Sequence, residues 1–272
     1  MQAIEGSIAR VLVRLHAEVR RTLLASPRVG HAQTVGKNPK GDRQRAFDVA
    51  GDTVVRRVLE KELACGIILS EESDDYRFGR AEPELRFIVD PVDGSDNWAR
   101  GLPLSSVAVA VLPAQGPIAL GRVVAALVGG LEEETPIVAT RGEGAYRGAK
   151  RLRASATRRI ADAFVSCELN HFAPPPQVGD LLSGARAVRC YGCASRAIVH
   201  VACGALDAHI DVRSRLTPES FLAAAAILEE AGGCVLDARG DQLPDFADHR
   251  QTATIVAAAT EELAREIIDA LV

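Results

Sequence analysis

The spacing of apolar residues predicts two helices at the start of the chain. Apolar side chains recur at every third or fourth position from Ile4 to Val19 and again from Phe47 to Leu63, which is the period of a helix with one buried face. The segment between them, from His31 to Arg45, is polar and contains glycine and proline, so it favours a mobile loop.

Further along the chain, short apolar runs separated by turn residues predict strands. These strands are Ile67 to Leu69, Phe87 to Val89, Val107 to Leu112, Gly121 to Leu127 and Pro136 to Ala139. A glycine-rich hairpin is expected from Arg141 to Lys150. Strands and helices then alternate, and Gly232 follows an apolar helix predicted from Pro218 to Ala231, as a C-terminal glycine cap would. The pattern indicates mixed α and β layers.

Composition narrows the class of protein. The chain has 272 residues, of which 47% are apolar and 25% charged, as in an ordinary globular protein with a substantial core. The formal net charge of −4 argues against a broad nucleic-acid surface, which needs clustered basic residues. The longest apolar runs are far shorter than the ~20 residues that span a bilayer, so no membrane insertion is expected.

The expected location is the cytoplasm. Charged residues interrupt the apolar N-terminal segment, which therefore lacks the centre of a signal peptide. The six cysteines are scattered, and an intracellular chain would keep them reduced. Cys190 and Cys193 form a Cys-x-x-Cys pair, but no second pair or histidine cluster follows at zinc-site spacing, so packing around Gly192 is the favoured interpretation over a metal or redox role.

Acidic residues directly after predicted strands are the strongest chemical signal. Asp90 and Asp93 flank Pro91 at the end of an apolar run, where proline is expected to turn the chain and Gly94 to permit unusual backbone geometry. Glu71 follows the preceding predicted strand. Alone, the acidic segment from Ser70 to Asp75 could be a solvated turn.

If those two strands are neighbours, three carboxylates meet. Like charges ~4 Å apart repel by about 4 kcal/mol at an effective dielectric constant near 20, and a divalent cation would relieve that cost. Oxygen-only ligands favour Mg²⁺ over zinc, and bound Mg²⁺ suits phosphate chemistry.

The motifs resemble those of the inositol monophosphatase superfamily, which includes fructose-1,6-bisphosphatases, over nearly the whole chain. The signatures occur in order as Ser70-Glu71-Glu72-Ser73, Asp90-Pro91-Val92-Asp93-Gly94-Ser95 and Glu230-Ala231-Gly232-Gly233. The resemblance implies an α+β fold, a layered α-β-α-β-α sandwich. Residues 1–152 would form an N-terminal half with the metal-binding motifs, and residues 153–272 a C-terminal half that completes the substrate pocket in one compact unit.

The resemblance also implies metal ligands. Glu71, Asp90, Asp93 and the Val92 carbonyl oxygen would bind Mg²⁺, with two or three ions expected. Ser220 stands ten residues before Glu230, where the family has a metal-binding aspartate. A neutral hydroxyl is a poorer ligand, so the second metal site is expected to be weakened. Glu219 is adjacent, but a shift of one residue on a helix turns the side chain by ~100°, which argues against replacement.

Other implied roles concern substrate and water. Asp93, Gly94 and Ser95 would hold the substrate phosphate, and the Ser95 hydroxyl would help to orient the attacking water. Asp48 matches the family's catalytic aspartate after the mobile loop, although the threonine that usually precedes it is absent. Arg213 lies where the family lines its substrate pocket, and its guanidinium favours a second phosphate or acidic group. The alternative for Arg213 is a salt bridge to Asp211.

Three interpretations of function remain open at this stage. The first is a Mg²⁺-dependent phosphatase acting on a small phosphate monoester of the inositol monophosphate or fructose 1,6-bisphosphate type. The second is a catalytically impaired homologue that binds sugar phosphate or metal, because of Ser220. The third is an unrelated Mg²⁺ enzyme such as a nuclease. Proteins of the resembled kind are commonly homodimers.

Overall fold

The protein is a stack of five layers in which helices and sheets alternate. The computed structural model describes residues 2–25 and 33–271, with side chains from residue 8 onward. Two long helices cover one face of an eight-stranded sheet, two more lie between that sheet and a five-stranded sheet, and two cover the outer face of the smaller sheet. This is the predicted α-β-α-β-α sandwich.

Seven helices occur in the described residues. They are α1 Gln2–Leu24, α2 Ala46–Glu62, α3 Ser95–Arg100, α4 Pro176–Gly184, α5 Ala194–Ala202, α6 Pro218–Glu230 and α7 Glu261–Asp269. Two 3-10 turns, Leu120–Arg122 and Ile160–Asp162, lie between strands. The predicted helices at 4–19, 47–63 and 218–231 are confirmed as α1, α2 and α6, within a few residues at each end.

The larger sheet has the strand order β10-β9-β8-β7-β6-β5-β3-β4. Its strands are β3 Gly66–Ser70, β4 Tyr76–Phe78, β5 Leu85–Asp93, β6 Ser106–Pro113, β7 Ala125–Gly130, β8 Ile137–Thr140, β9 Gly144–Arg147 and β10 Lys150–Arg151. Only β3 and β5 pair in parallel within it, so their carboxyl ends lie side by side.

The smaller sheet has the order β12-β11-β13-β15-β14. Its strands are β11 Phe164–Cys167, β12 Ala187–Arg189, β13 Ala208–Leu216, β14 Cys234–Leu236 and β15 Ala253–Ala258. The sheets are formed by opposite halves of the chain, and the predicted boundary at residue 152 falls directly after β10. The division into two halves stays a prediction.

Burial explains the layer order. Helix α6 is apolar on every side, and its residues from Phe221 to Leu228 are buried, as expected for a helix packed between two sheets. Helices α1 and α2 bury one stripe each, including Leu12, Leu15 and Phe47, against the outer face of the larger sheet. The central layer therefore joins sequence-distant elements at the place where β3, β5 and the start of α6 meet.

Two local predictions were wrong. Of the segment His31–Arg45, expected as a loop, residues 34–45 form a hairpin of β1 Thr34–Lys37 and β2 Arg43–Arg45, and residues 31 and 32 lie outside the described ones. The hairpin is stabilised because the Asn38 side chain accepts hydrogen bonds from the amides of Lys40 and Asp42. The strand predicted at Gly121–Leu127 starts only at Ala125, because Leu120–Arg122 forms a 3-10 turn.

A third correction concerns Pro91, which does not end its strand. Strand β5 continues to Asp93, but its pairing with β6 shifts between Asp90, opposite Ala108, and Asp93, opposite Ser106. Three steps on β5 thus correspond to two on β6, which is a β-bulge. Proline is tolerated at such an irregularity because it cannot donate a regular ladder hydrogen bond.

Candidate active site

The parallel pair of β3 and β5 brings the acidic motifs together. Ser70 pairs with Val89, and the Glu71 amide donates to the Val89 carbonyl oxygen at 3.0 Å. Glu71 and Asp90 therefore leave neighbouring strands at the same edge of the sheet, as the sequence predicted. Asp90 is buried at 3% exposure, so its charge is poorly solvated.

Asp90 and Asp93 are held by different donors. Asp90 accepts from the Val92 amide at 3.0 Å and from the Ser220 hydroxyl at 3.3 Å. Asp93 Oδ2 accepts from the Ser195 amide at 2.8 Å, from the Ser195 hydroxyl, and from the Cys193 thiol at 3.1 Å. Burial raises the pKa of both aspartates, and the negative charge of Glu71 raises it further.

A lysine from the hairpin lies against this cluster. Lys40 Nζ is 2.7 Å from Glu71 Oε1 and donates to Thr217 Oγ1 at 3.0 Å. Burial would raise the pKa of Glu71, but the Lys40 ammonium and hydrogen bonds outweigh it and the net shift is downward. Burial would lower the pKa of Lys40, but the carboxylates of Glu71 and Glu219 raise it overall. This pair is therefore charged at neutral pH.

Glu219 also faces the cluster, through Lys40. Its carboxylate is 1% exposed and lies 3.4 Å from Lys40 Nζ and 3.8 Å from His249 Nδ1, both ion-pair contacts without a hydrogen bond. Glu219 and Ser220 occupy the first turn of α6, which points its end at the cluster, so both side chains reach it. His249 also contacts Asp75 at 3.1 Å.

Beside the cluster, the expected water-activating residues are connected through Arg45. The Arg45 amide donates to Asp48 at 2.7 Å, and its guanidinium donates to the Ser95 hydroxyl at 3.0 Å and to Asp96. Asp48 Oδ1 is buried without a hydrogen-bond partner in the described residues. Burial raises the pKa of Asp48 to about 7, and burial with the nearby Asp48 and Glu71 charges raises that of Glu72 to about 8.

Gly94 fits its position for steric reasons. Its φ of 76° is left-handed, and a Cβ there would lie 2.9 Å from the Leu104 carbonyl oxygen and 2.9 Å from Cys193 Cβ. Gly94 precedes α3, so the chain turns from β5 into that helix within one residue. The turn places Ser95 beside Asp93.

A cleft of about 220 Å³ opens over these groups. Its lining includes an acidic group around Lys40, which we call the acidic end: Lys40, Glu71, Asp93 and Ser220. It also includes a group around Arg213, which we call the far end: Glu168, Asn170, Arg213 and Arg215. Arg213 binds Asp211 through Nε at 3.0 Å and Nη2 at 2.7 Å, and donates to the Asn170 carbonyl oxygen at 3.1 Å. The salt bridge is therefore formed, and Arg213 still borders the cleft.

The donor chemistry of the cluster fits Mg²⁺, because it consists of buried carboxylates whose mutual repulsion a hard cation would relieve. Within the described residues, however, no three Asp, Glu, His or Cys side chains are arranged so that they could hold a metal ion together. The reason is local. Lys40 lies on Glu71, and hydrogen bonds from neighbouring groups occupy oxygens of Asp90 and Asp93.

The structure thus brings together most predicted site residues. Glu71, Asp93, Ser220 and Arg213 line the cleft, and Asp90 is hydrogen-bonded to Ser220. The lining does not include Asp48, Val92, Gly94 or Ser95. Sequence reasoning missed Lys40, Ser195 and His249. Lys40 could have been noticed in the sequence, because it follows Pro39 in the polar loop. Ser195 and His249 come from distant segments in which no metal-binding motif was recognised.

Comparison with known proteins identifies the family. The inositol monophosphatase family matches residues 7–272. A fructose-1,6-bisphosphatase/inositol-1-monophosphatase of Thermococcus kodakarensis is 27% identical over 88% of this chain and 87% of its own. Human inositol monophosphatase 2 is 31% identical over 68% of this chain and 62% of its own. The extragenic suppressor protein SuhB of Bartonella henselae superposes with a TM-score of 0.82 at 25% identity, over 97% and 98% of the two chains.

The family match and the phosphatases among the relatives identify a phosphoric monoester hydrolase of the layered sandwich type. The chain belongs to the inositol monophosphatase family, as its motifs predicted. Membership is incompatible with the interpretation as an unrelated Mg²⁺ enzyme. None of the helices described is both long and apolar enough to cross a membrane. All six cysteines lie in the described part and are unpaired.

Proposed function

We propose that this chain hydrolyses small phosphate monoesters of the inositol monophosphate or fructose 1,6-bisphosphate type in a Mg²⁺-dependent reaction. The observation that supports this most directly is that Glu71, Asp93 and Arg213 line one cleft, which Asp90 joins through its hydrogen bond from Ser220. A relative named for both activities, matched over most of its length, supports the substrate class.

Each acidic residue has a proposed role. Glu71, Asp90, Asp93 and the Val92 carbonyl oxygen would hold Mg²⁺, which when bound supplies positive charge and lowers the pKa of a water molecule. Ser220 would be a weak additional ligand. The backbone at Gly94 and Ser95 would hold the phosphate, because only glycine fits the turn that places these amides beside Asp93.

Asp48 is the proposed proton acceptor. Its Oδ1 has no hydrogen-bond partner in the described residues, and a pKa near 7 suits an acceptor that works at neutral pH. The Arg45 guanidinium fixes the Ser95 hydroxyl as a hydrogen-bond acceptor. Ser95 can then donate its own proton onward and orient water beside the phosphate.

Arg213 and Arg215 support a substrate with a second anionic group. Both line the same cleft as Glu71 and Asp93. A guanidinium recognises phosphate through paired hydrogen bonds, so a bisphosphate could be held at both ends. Because Arg213 is already paired with Asp211, we propose that Arg213 donates its remaining N–H groups while keeping that pair.

A catalytically impaired homologue that binds sugar phosphate or metal is the second candidate. Two observations favour it: Ser220 offers no charge to a metal ion, and the Lys40 ammonium already lies on Glu71. Such a protein would keep the cleft and the phosphate-binding turn but would not turn over substrate.

Release of inorganic phosphate separates the two candidates. Wild type and Ser220→Asp would be assayed with Mg²⁺ or EDTA, using fructose 1,6-bisphosphate, inositol 1-phosphate and adenosine 3′,5′-bisphosphate. Mg²⁺-dependent turnover by wild type is expected and would rank the substrates. Activity only in Ser220→Asp would support the binding protein, and no activity in either would contradict the proposal for these substrates.

Assembly and location stay predictions. A homodimer in the cytoplasm is proposed on the family resemblance and on the sequence composition. Size-exclusion chromatography with light scattering would test the dimer directly.

A further inference from the structure

Lys40 lies on the turn of the β1–β2 hairpin, outside the acidic motifs. Its ammonium nitrogen is 2.7 Å from Glu71 Oε1, 3.0 Å from Thr217 Oγ1 and 3.4 Å from Glu219 Oε1. Those three oxygens belong to two segments, the end of β3 and the start of α6, and surround one nitrogen that carries three donors. The Lys40 side chain is only 16% exposed. Lys40 therefore occupies a position enclosed by oxygens, as a bound cation would.

The hairpin is built to present this lysine. The Asn38 side chain is 6% exposed and accepts hydrogen bonds from the amides of Lys40 at 3.1 Å and Asp42 at 2.9 Å. The Gly41 amide donates to the Asn38 carbonyl oxygen, and the φ of 91° at Gly41 is one that glycine adopts without strain. A turn fixed in this way places the Lys40 side chain over the acidic end of the cleft.

The buried Glu219 carboxylate that faces Lys40 requires a cation. Glu219 is 1% exposed, and neither carboxylate oxygen has a hydrogen-bond partner in the described residues. A buried carboxylate without hydrogen bonds is costly unless a cation faces it. Lys40 is the cation that faces it, the His249 ring lies 3.8 Å away, and Lys40 also faces Glu71.

Ser220 lies on the same turn of α6 as Glu219. Its amide donates to the Thr217 carbonyl oxygen at 3.0 Å, so the residue that lacks a carboxylate lies one turn from a Lys40 contact. Ser220 carries no charge where the resemblance implies an aspartate, and Lys40 places a positive charge in the same cluster. Both features make a divalent cation there less favourable.

We propose that the Lys40 ammonium is a tethered cation that replaces one metal ion of the site, so that the chain binds fewer divalent ions than its carboxylates would otherwise hold. This rests on the proposed function for the identity of the metal. The cation between Glu71 and Glu219 is then supplied by the chain itself. Any divalent ion is held on the Asp90 and Asp93 side.

The test counts bound metal rather than turnover. Equilibrium dialysis with Mn²⁺, followed by electron paramagnetic resonance of the free ion, would compare wild type, Lys40→Met and Lys37→Met. Methionine is unbranched like lysine and one atom shorter, without its charge, and Lys37 is exposed on the same hairpin. We expect Lys40→Met to bind about one more Mn²⁺ per chain than wild type. Lys37→Met should match wild type.

Two further variants keep the test decisive if Lys40→Met is unstable. Lys40→Arg retains the charge and should keep the wild-type stoichiometry. Ser220→Asp should gain its additional ion fully only when combined with Lys40→Met. Equal Mn²⁺ binding by wild type and Lys40→Met, or a full additional site in Ser220→Asp with Lys40 in place, would overturn the proposal. Because no substrate is present, absence of phosphatase activity would leave a measured difference in stoichiometry unaffected.

Discussion

The two ends of the cleft each place one basic residue against buried carboxylates, but in different ways. At the acidic end, Lys40 reaches from a hairpin turn and meets oxygens of Glu71 and Thr217 with a single nitrogen. At the far end, Arg213 extends from β13 and holds the fully buried Asp211 through two parallel hydrogen bonds.

The difference shows which cation a metal ion could replace. An ammonium is a point charge among oxygens, and a hard metal ion uses the same kind of surroundings. A guanidinium gives directed, planar hydrogen bonds that an ion cannot reproduce. The acidic end is thus suited to exchange of cations and chemistry, whereas the far end is a fixed part of the framework.

The largest effect is expected from Asp90→Asn at the acidic end. Removing one carboxylate of the proposed metal ligands should lower kcat at least about a thousandfold, because stabilisation of the transition-state charge is lost. The free energy of unfolding without metal should not fall, since the pKa of Asp90 is raised by burial and by Glu71. Steady-state kinetics and urea unfolding measure the two quantities.

Asp74→Asn is the matched control for that variant. Asp74 belongs to the same acidic stretch as Glu71 but is exposed, so both kcat and stability should stay near wild type. A similar loss of activity in both variants would contradict the division of roles between the ends of the cleft.

At the far end, Arg213→Ala should lower the free energy of unfolding by about 3 to 5 kcal/mol, because it leaves the Asp211 carboxylate buried without its cation. Added Mg²⁺ should not restore the loss, since the geometry suits a planar group. Arg215→Ala, on an exposed residue of the same strand, should change stability by less than about 0.5 kcal/mol. Full rescue of Arg213→Ala by Mg²⁺ would remove the distinction between the two ends.

A smaller effect is expected from His209, buried near Asp211. Burial lowers the pKa of His209 to about 4, with the Asp211 and Glu168 charges opposing this and Arg213 adding to it. The folded protein therefore binds fewer protons than the unfolded chain, whose histidine has a pKa near 6.5. Stability from this group is complete above pH ~6.5 and is lost as the pH falls toward 4.

Between pH 7 and pH 5, this histidine should account for about 2 kcal/mol of lost stability. His209→Asn should show a correspondingly weaker dependence of the urea midpoint on pH. The exposed His171→Asn should keep the wild-type dependence. An unchanged pH dependence in His209→Asn would show that the histidine does not titrate between the folded and unfolded states as stated.

The acidic motifs could be predicted because their information is local in the sequence. Glu71, Asp90 and Asp93 each follow an apolar run directly, so strand pairing alone brings them together. Lys40 and Glu219 could not be placed in the same way. Their positions depend on where a hairpin turn and the first turn of α6 end in space, and neither end is fixed by a periodic pattern.

Helices with a periodic apolar face were predicted correctly, whereas a feature that depends on strand pairing was not. Long periodic segments such as α1, α2 and α6 were predicted because one buried face determines their spacing. Pro91 was expected to turn the chain, since proline cannot donate to a regular ladder. The partner strand β6 accommodates it by a shift of register, which only the paired structure reveals.

That shift of register has a consequence for how the protein can change. In an unbroken strand, residues three apart project to opposite faces, so Asp90 and Asp93 could not both serve one cluster. Deleting one residue would leave two steps on β5 opposite two on β6, so the ladder would become regular and the backbone turn that brings the Val92 amide to Asp90 would be lost. The proposed chemistry therefore depends on this β-bulge. Insertions or deletions between Asp90 and Asp93 should abolish activity, whereas those in nearby loops should be tolerated.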